Sequence, residues 1–185
     1  MTVEEAVAKF GTDAVIKYRK QRAIRKAETA IPEGCLSLYI ASKLISDCQQ
    51  DARVEASYPK ILEQLGASGA DITRKFGGQR ADFAIYDHDV PSAVIEIKII
   101  DEGRTPAGVI NDWKKIVLLQ NRLRSSGRPI VFGYIGALVC DTARRLSART
   151  IDELGRTLEL SVPPGTETEA LSGGWNWRFV CIKLA

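Results

Sequence analysis

The chain has 185 residues, of which 45% are hydrophobic and 26% charged, with a net charge of +3 and a single histidine. These proportions fit one soluble domain, long enough to bury a core without disulfides, and no apolar run approaches the roughly 18 residues that a membrane span needs. Four scattered cysteines with no Cys-x-x-Cys pair argue against a zinc site or a disulfide framework and read as buried thiols, and the first thirty residues contain no secretory pattern, so the expected compartment is cytoplasmic.

In chain order, residues 3–29 read as helical, with a break expected at Gly11-Thr12-Asp13, where Thr12 or Asp13 can cap a second helix running into the basic stretch Lys17 to Lys26. Ile31-Pro32-Glu33 opens a helix that ends near Gln50 and presents Leu36, Tyr39, Ile40 and Leu44 at helical spacing. Val54 to Tyr58 reads as the start of a strand, and Pro59 to Leu65 as a short helix stopped by Gly66. Residues 70–76 and 79–87 read as two strands of a hairpin turning at Gly77-Gly78. A second turn at Asp87 to Pro91 leads into the strand Ser92-Ala-Val-Ile-Glu-Ile-Lys-Ile-Ile100, so three strands are expected to meander in succession.

Thr105-Pro106 begins a helix to about Ser126 whose stripe of Val109, Ile110, Trp113, Ile116, Val117, Gln120 and Leu123 faces a core. Residues 129–140 read as a glycine-punctuated strand, Asp141 or Thr142 as the cap of a helix to about Gly155, residues 161–174 as a loop, and residues 175–184 as a last strand. With no linker composition in view, 1–185 is expected to form a single α/β domain: an N-terminal helical extension over 1–30, a core over 32–140, and a C-terminal helix and strand over 141–185.

Alternation sorts the charged side chains by face. Arg80, Asp82, Ala84 and Tyr86 share one face of the second strand; Val94, Glu96, Lys98 and Ile100 share one face of the third. An antiparallel pair turning at residues 87–91 brings Asp82 opposite Glu96 and Lys98, or one pair removed. Two carboxylates a few ångströms apart repel by roughly 3 kcal/mol at an effective dielectric near 20, and one lysine compensates this only in part. Hard oxygen donors without a neighbouring His or Cys suit Mg²⁺ or Mn²⁺, and such an ion next to a lysine has the chemistry of phosphodiester hydrolysis.

Asp82, thirteen intervening residues, and Glu96-Ile97-Lys98 resemble the PD-(D/E)xK motif of the restriction-endonuclease-like nuclease superfamily, over roughly residues 32–140. The resemblance implies an αβββαβ core with a mixed central sheet flanked by helices. It further implies a metal held by Asp82, Glu96 and the Ile97 carbonyl, with Lys98 orienting or helping to deprotonate a water. Ala81 stands where the motif has proline. Members often add a glutamate from the first core helix, for which Glu33 is the candidate and Glu55 the alternative. Gln120 sits as in RecB-like branches, but Arg124 occupies the position of their tyrosine, so membership of that branch is not supported.

Arg80, Lys114, Lys115, Arg144, Arg145 and Arg149 are candidate contacts to a nucleic-acid backbone, with exposed helical charge or a pairing of Arg80 with Asp82 as the alternatives. His88, between two aspartates, reads as an exposed turn residue, and Trp175 and Trp177 as core residues of the last strand. The expected partner is DNA, with a homodimer as the arrangement that cuts both strands; no membrane is expected. The competing reading is an inactive module of the same fold that binds nucleic acid or protein.

Overall fold

A computed structural model of the chain describes residues 1–22, 31–67, 69–100, 107–141, 152–156, 158, 169–170 and 176–184. In chain order the elements are α1 (Val3–Arg22), α2 (Glu33–Cys48), β1 (Asp51–Ser57), α3 (Tyr58–Gln64), α4 (Ala70–Phe76), β2 (Arg80–Asp87), β3 (Val90–Ile100), α5 (Ala107–Ser125), β4 (Phe132–Asp141), β5 (Glu169–Ala170) and β6 (Asn176–Leu184). Residues 152–156 are helical. The strands form one mixed sheet in the order β1-β2-β3-β4-β6-β5. Among the described residues, only the β3–β4 pairing is parallel.

Strand alternation sends side chains to two apolar layers. Phe83, Ile95, Ile97, Leu138 and Phe179 pack under α1 and α2, while Ala84, Val94, Ala137 and Val180 pack under α3, α4 and α5. Both faces of the central strands are therefore covered, which accounts for the near-continuous apolar run in β3. The β2–β3 turn is two residues long, and both His88 (φ 47°) and Asp89 (φ 65°) adopt positive φ, as a type I′ hairpin turn requires.

The structure departs from the sequence expectations at several places. Helix α1 runs unbroken through Gly11, because Gly11 lies against β6: a Cβ there would come within 2.3 Å of the Phe179 ring. Thr12 does not cap a new helix; its hydroxyl donates back to the Ala8 carbonyl at 2.9 Å. Residues 70–76 form a helix and not a strand. Ile72 and Phe76, four apart, are both buried, and the Phe76 ring stacks on Tyr58 with centroids 5.5 Å apart. Gly77 (φ 52°) ends that helix where a hairpin turn had been expected. The meander is thus β1-β2-β3, with α3 and α4 inserted after its first strand.

Among the thiols only Cys181 is buried, whereas Cys35 is exposed and Cys48 and Cys140 are half-buried. On α5, Ile116, Gln120 and Leu123 are buried as the stripe predicts, and Asp112 and Leu119 join them. Trp177 is fully buried beneath α1 and α2. Trp175, Thr105-Pro106, Thr142 and the basic residues after Arg22 lie outside the described residues. Among the described residues, no helix is long and apolar enough to cross a membrane.

Candidate functional site

Asp82 occupies a break in the sheet. The β2–β3 ladder runs through Ile85↔Ala93, Ala84↔Val94 and Phe83↔Ile95; one step further Asp82 would oppose Glu96, and there the ladder stops. On the other side of β2, β1 pairs through Val54↔Phe83 and Ala56↔Ala81 but skips Glu55, whose φ is 54°. Backbone donors freed by such a break need other partners. The Ile97 amide finds one in the Asp82 carboxylate, donating to Oδ2 at 2.6 Å.

Glu96 points from β3 toward α3 and α5. Its side chain is 4% exposed. The Tyr58 hydroxyl donates to its Oε1 at 2.7 Å, and the Lys115 ammonium lies 3.9 Å from the same oxygen. Burial, then repulsion from Asp112, pushes the Glu96 carboxyl up to about 8, against the opposing pull of Tyr58 and Lys115. Burial and the neighbouring Glu96 also raise the Tyr58 hydroxyl, so it remains a proton donor. Asp82 is raised as well, by burial, with the Ile97 amide and Lys98 acting against the shift.

Lys98, two residues along β3, reaches two acids from different elements. Its Nζ is 3.1 Å from Glu33 Oε2 and 3.3 Å from Asp112 Oδ2. Burial by itself lowers an ammonium, but the charges of Asp112 and Glu33 outweigh it and the net shift is upward. The ammonium is therefore favoured in this arrangement, which suits it to donate hydrogen bonds. Glu33 sits in the first turn of α2, where its other oxygen accepts from the Ile99 amide at 3.1 Å. A favourable interaction with the helix N-terminus and a place in the cluster are thus compatible for this side chain.

Of the residues singled out in the sequence, Glu33, Asp82, Glu96 and Lys98 come together, with Ile97 tied to Asp82. Glu55 stays outside the cluster; its exposed carboxylate lies 3.9 Å from Arg80, which pairs there and not with Asp82. Gln120 is a structural tie, its amide donating to the Val131 carbonyl at 3.1 Å and fastening α5 to the segment before β4. Lys114 is exposed on α5, while Lys115 turns inward, 2.5 Å from Asp112 Oδ1. Arg144, Arg145 and Arg149 lie outside the described residues.

Sequence reading missed Asp112 and Tyr58. Asp112 is 2% exposed, and the signal was available: Val109, Asp112 and Ile116 fall on one helical stripe, and an acid on such a stripe is buried with a partner or a task. Tyr58 carried no comparable signal, because its role depends on a strand distant in sequence.

Four carboxylates (Glu33, Asp82, Glu96, Asp112) thus surround two ammonium groups (Lys98, Lys115). Among the described residues, no three His, Cys, Asp or Glu side chains are already drawn together closely enough to hold an ion. The lysines lie between the carboxylates instead. The donors are all oxygens, the acids exceed the cations, and the buried Asp112 Oδ2 has no hydrogen bond, only the nearby charge of Lys98. In donor type, though not in the present spacing, that set suits a hard divalent cation. Comparison with family models, with curated proteins and with solved structures returned no match.

Proposed function

We propose that this chain is a divalent-metal-dependent nuclease of the restriction-endonuclease-like kind, hydrolysing phosphodiester bonds, with DNA as its substrate. The observation that carries the reading is the cluster where the β2–β3 ladder opens: Glu33 and Asp112 pair with Lys98, Asp82 feels its charge, and Glu96 lies beside Asp82 and Asp112. The order α2-β1-β2-β3-α5-β4, with α3 and α4 inserted between β1 and β2, and the parallel β3–β4 pairing support an αβββαβ core. In this reading the carboxylates of Asp82 and Glu96 and the carbonyl of Ile97 hold Mg²⁺ or Mn²⁺. Such an ion supplies an activated water and neutralises charge on the phosphoryl oxygens.

The chain's own groups do the positioning. Lys98, kept protonated, donates a hydrogen bond to the water or to the phosphate, and Glu33 fixes the direction of its ammonium. Ile97 holds Asp82 in place through its amide. Lys114, Arg80, Arg145 and Arg149 are assigned to the nucleic-acid backbone, and a homodimer brings two sites to the two strands of a duplex. The test is incubation of purified protein with linear, nicked, branched and single-stranded DNA and with RNA, with Mg²⁺, Mn²⁺ or EDTA. Metal-dependent cleavage that Glu96→Ala and Lys98→Ala abolish supports the reading; its absence on every substrate overturns it.

One observation favours a second reading, a noncatalytic module that binds nucleic acid or protein. Lys98 and Lys115 already sit on the acids, so the cluster can serve as a closed ion-pair network that joins α2, β3 and α5. A salt-sensitive DNA complex that is indifferent to EDTA and to Asp82→Ala distinguishes this reading from the first.

A further inference from the structure

Near the start of α5 lies an ion contact between two almost wholly buried acids. Asp112 and Glu96 have side chains only 3% and 4% exposed, and they come from a helix and a strand that face one another. The group between them is the ammonium of Lys115, 2.5 Å from Asp112 Oδ1 and 3.9 Å from Glu96 Oε1. Lys115 itself is 29% exposed, so its chain enters the acidic pair from the solvent side and can leave by the same route. The second oxygen of Asp112 is buried and accepts no hydrogen bond. Lys115 is thus shared between the two buried carboxylates, and Asp112 Oδ2 has only the charge of Lys98, 3.3 Å away, without a hydrogen bond. A divalent cation carries twice the charge of either ammonium and takes several oxygens at once.

We propose that Asp112 is a further metal ligand, and that Lys115 is a built-in competitor whose ammonium occupies the cation position between Asp112 and Glu96 and swings to solvent when the ion enters. This rests on the metal-dependent reading of the same cluster. It adds a ligand from α5 and a device that sets the metal concentration at which the site fills, because the ion must displace a charge already bound.

Titration calorimetry of the metal-free protein with MnCl₂, at fixed pH and ionic strength, tests the proposal without reference to cleavage. Lys115→Met, which keeps length and removes charge, is expected to bind Mn²⁺ about tenfold more tightly than wild type. Asp112→Asn is expected to weaken binding by about 10- to 100-fold. Lys60→Met, exposed on α3, serves as the control and leaves affinity unchanged. Should Lys115→Met not fold, the wild-type protein still answers: the NMR signals of the Lys115 ε-methylene are expected to move to solvated values on addition of Mg²⁺. Wild-type binding that Lys115→Met does not strengthen, that Asp112→Asn does not weaken, or that leaves the Lys115 signals in place overturns this proposal alone. If neither wild type nor Lys115→Met binds Mn²⁺ at millimolar concentration, the metal reading falls with it.

Discussion

Two ion-pair clusters sit at opposite ends of the β2–β3 hairpin, and each is built on a cation between two acids. At the turn, Arg53 bridges Asp51, at 2.5 Å, and Asp89, and its guanidinium lies over the Tyr86 ring at 4.1 Å. At the open end, Lys98 bridges Glu33 and Asp112. The first cluster is solvated, with Arg53 and Asp51 both more than two-fifths exposed. The second draws in Asp112 and Glu96, which are almost wholly buried. Water screens the first set of charges, so its geometry carries little energy. Loss of hydration makes the second set responsive: carboxyls there shift upward, and removal of one charge is felt by the rest.

That contrast orders the effects expected of substitution. The largest falls on the proposed nuclease chemistry: Glu96→Ala and Lys98→Ala should each lower any metal-dependent cleavage of DNA by at least about 100-fold, measured as initial rates. Loss of less than a few-fold removes the open-end cluster from the reaction. Next, Asp112→Ala strips the common partner from Lys98 and Lys115, and should destabilise the metal-free protein by about 3 kcal/mol in urea unfolding, since breaking a buried pair strands its charges. An unchanged midpoint shows that the two lysines relax to solvent without cost.

A smaller effect depends on pH. The Glu96 carboxyl titrates near 8 in the folded protein and near 4.5 unfolded, so between those values the folded state holds a proton that the unfolded chain releases. The stabilisation is fully present below about pH 4.5 and is lost as pH rises through about 8. Asp82, also raised, contributes with the same sign. In EDTA the melting temperature should therefore fall from pH 5 to pH 8, and Glu96→Gln should flatten the slope. A wild-type slope of the opposite sign excludes a buried, protonated Glu96. The smallest effect belongs to the turn: Arg53→Ala should leave the unfolding midpoint unresolved from wild type at 0.15 M salt.

Much of the scaffold follows from local pattern. Pro32 before Glu33 starts α2, Gly66 (φ 71°) follows α3, and the alternation of β3 separates Glu96 and Lys98 from the isoleucines beside them. Residues 70–76 were misread because Gly77 serves a helix end as readily as a hairpin turn; the burial of Ile72 and Phe76 against Tyr58 selects the helix. Gly11 was misread for a related cause, since a glycine that permits a break also permits the close approach of a ring.

In the site, the spacing of Asp82, Glu96 and Lys98 was readable because their pairing depends only on a hairpin and its register. Lys115 could be seen in the sequence but not its direction. One-dimensional pattern specifies which face of an element a side chain takes, since backbone geometry alone sets that periodicity. It does not specify which faces meet: Glu33 lies 65 residues from Lys98 and Tyr58 lies 38 from Glu96. Those distances close only when α2, α3 and α5 bury their apolar stripes against the sheet. That burial removes water from the acids at the ladder's end and gives their charges a consequence that composition does not carry.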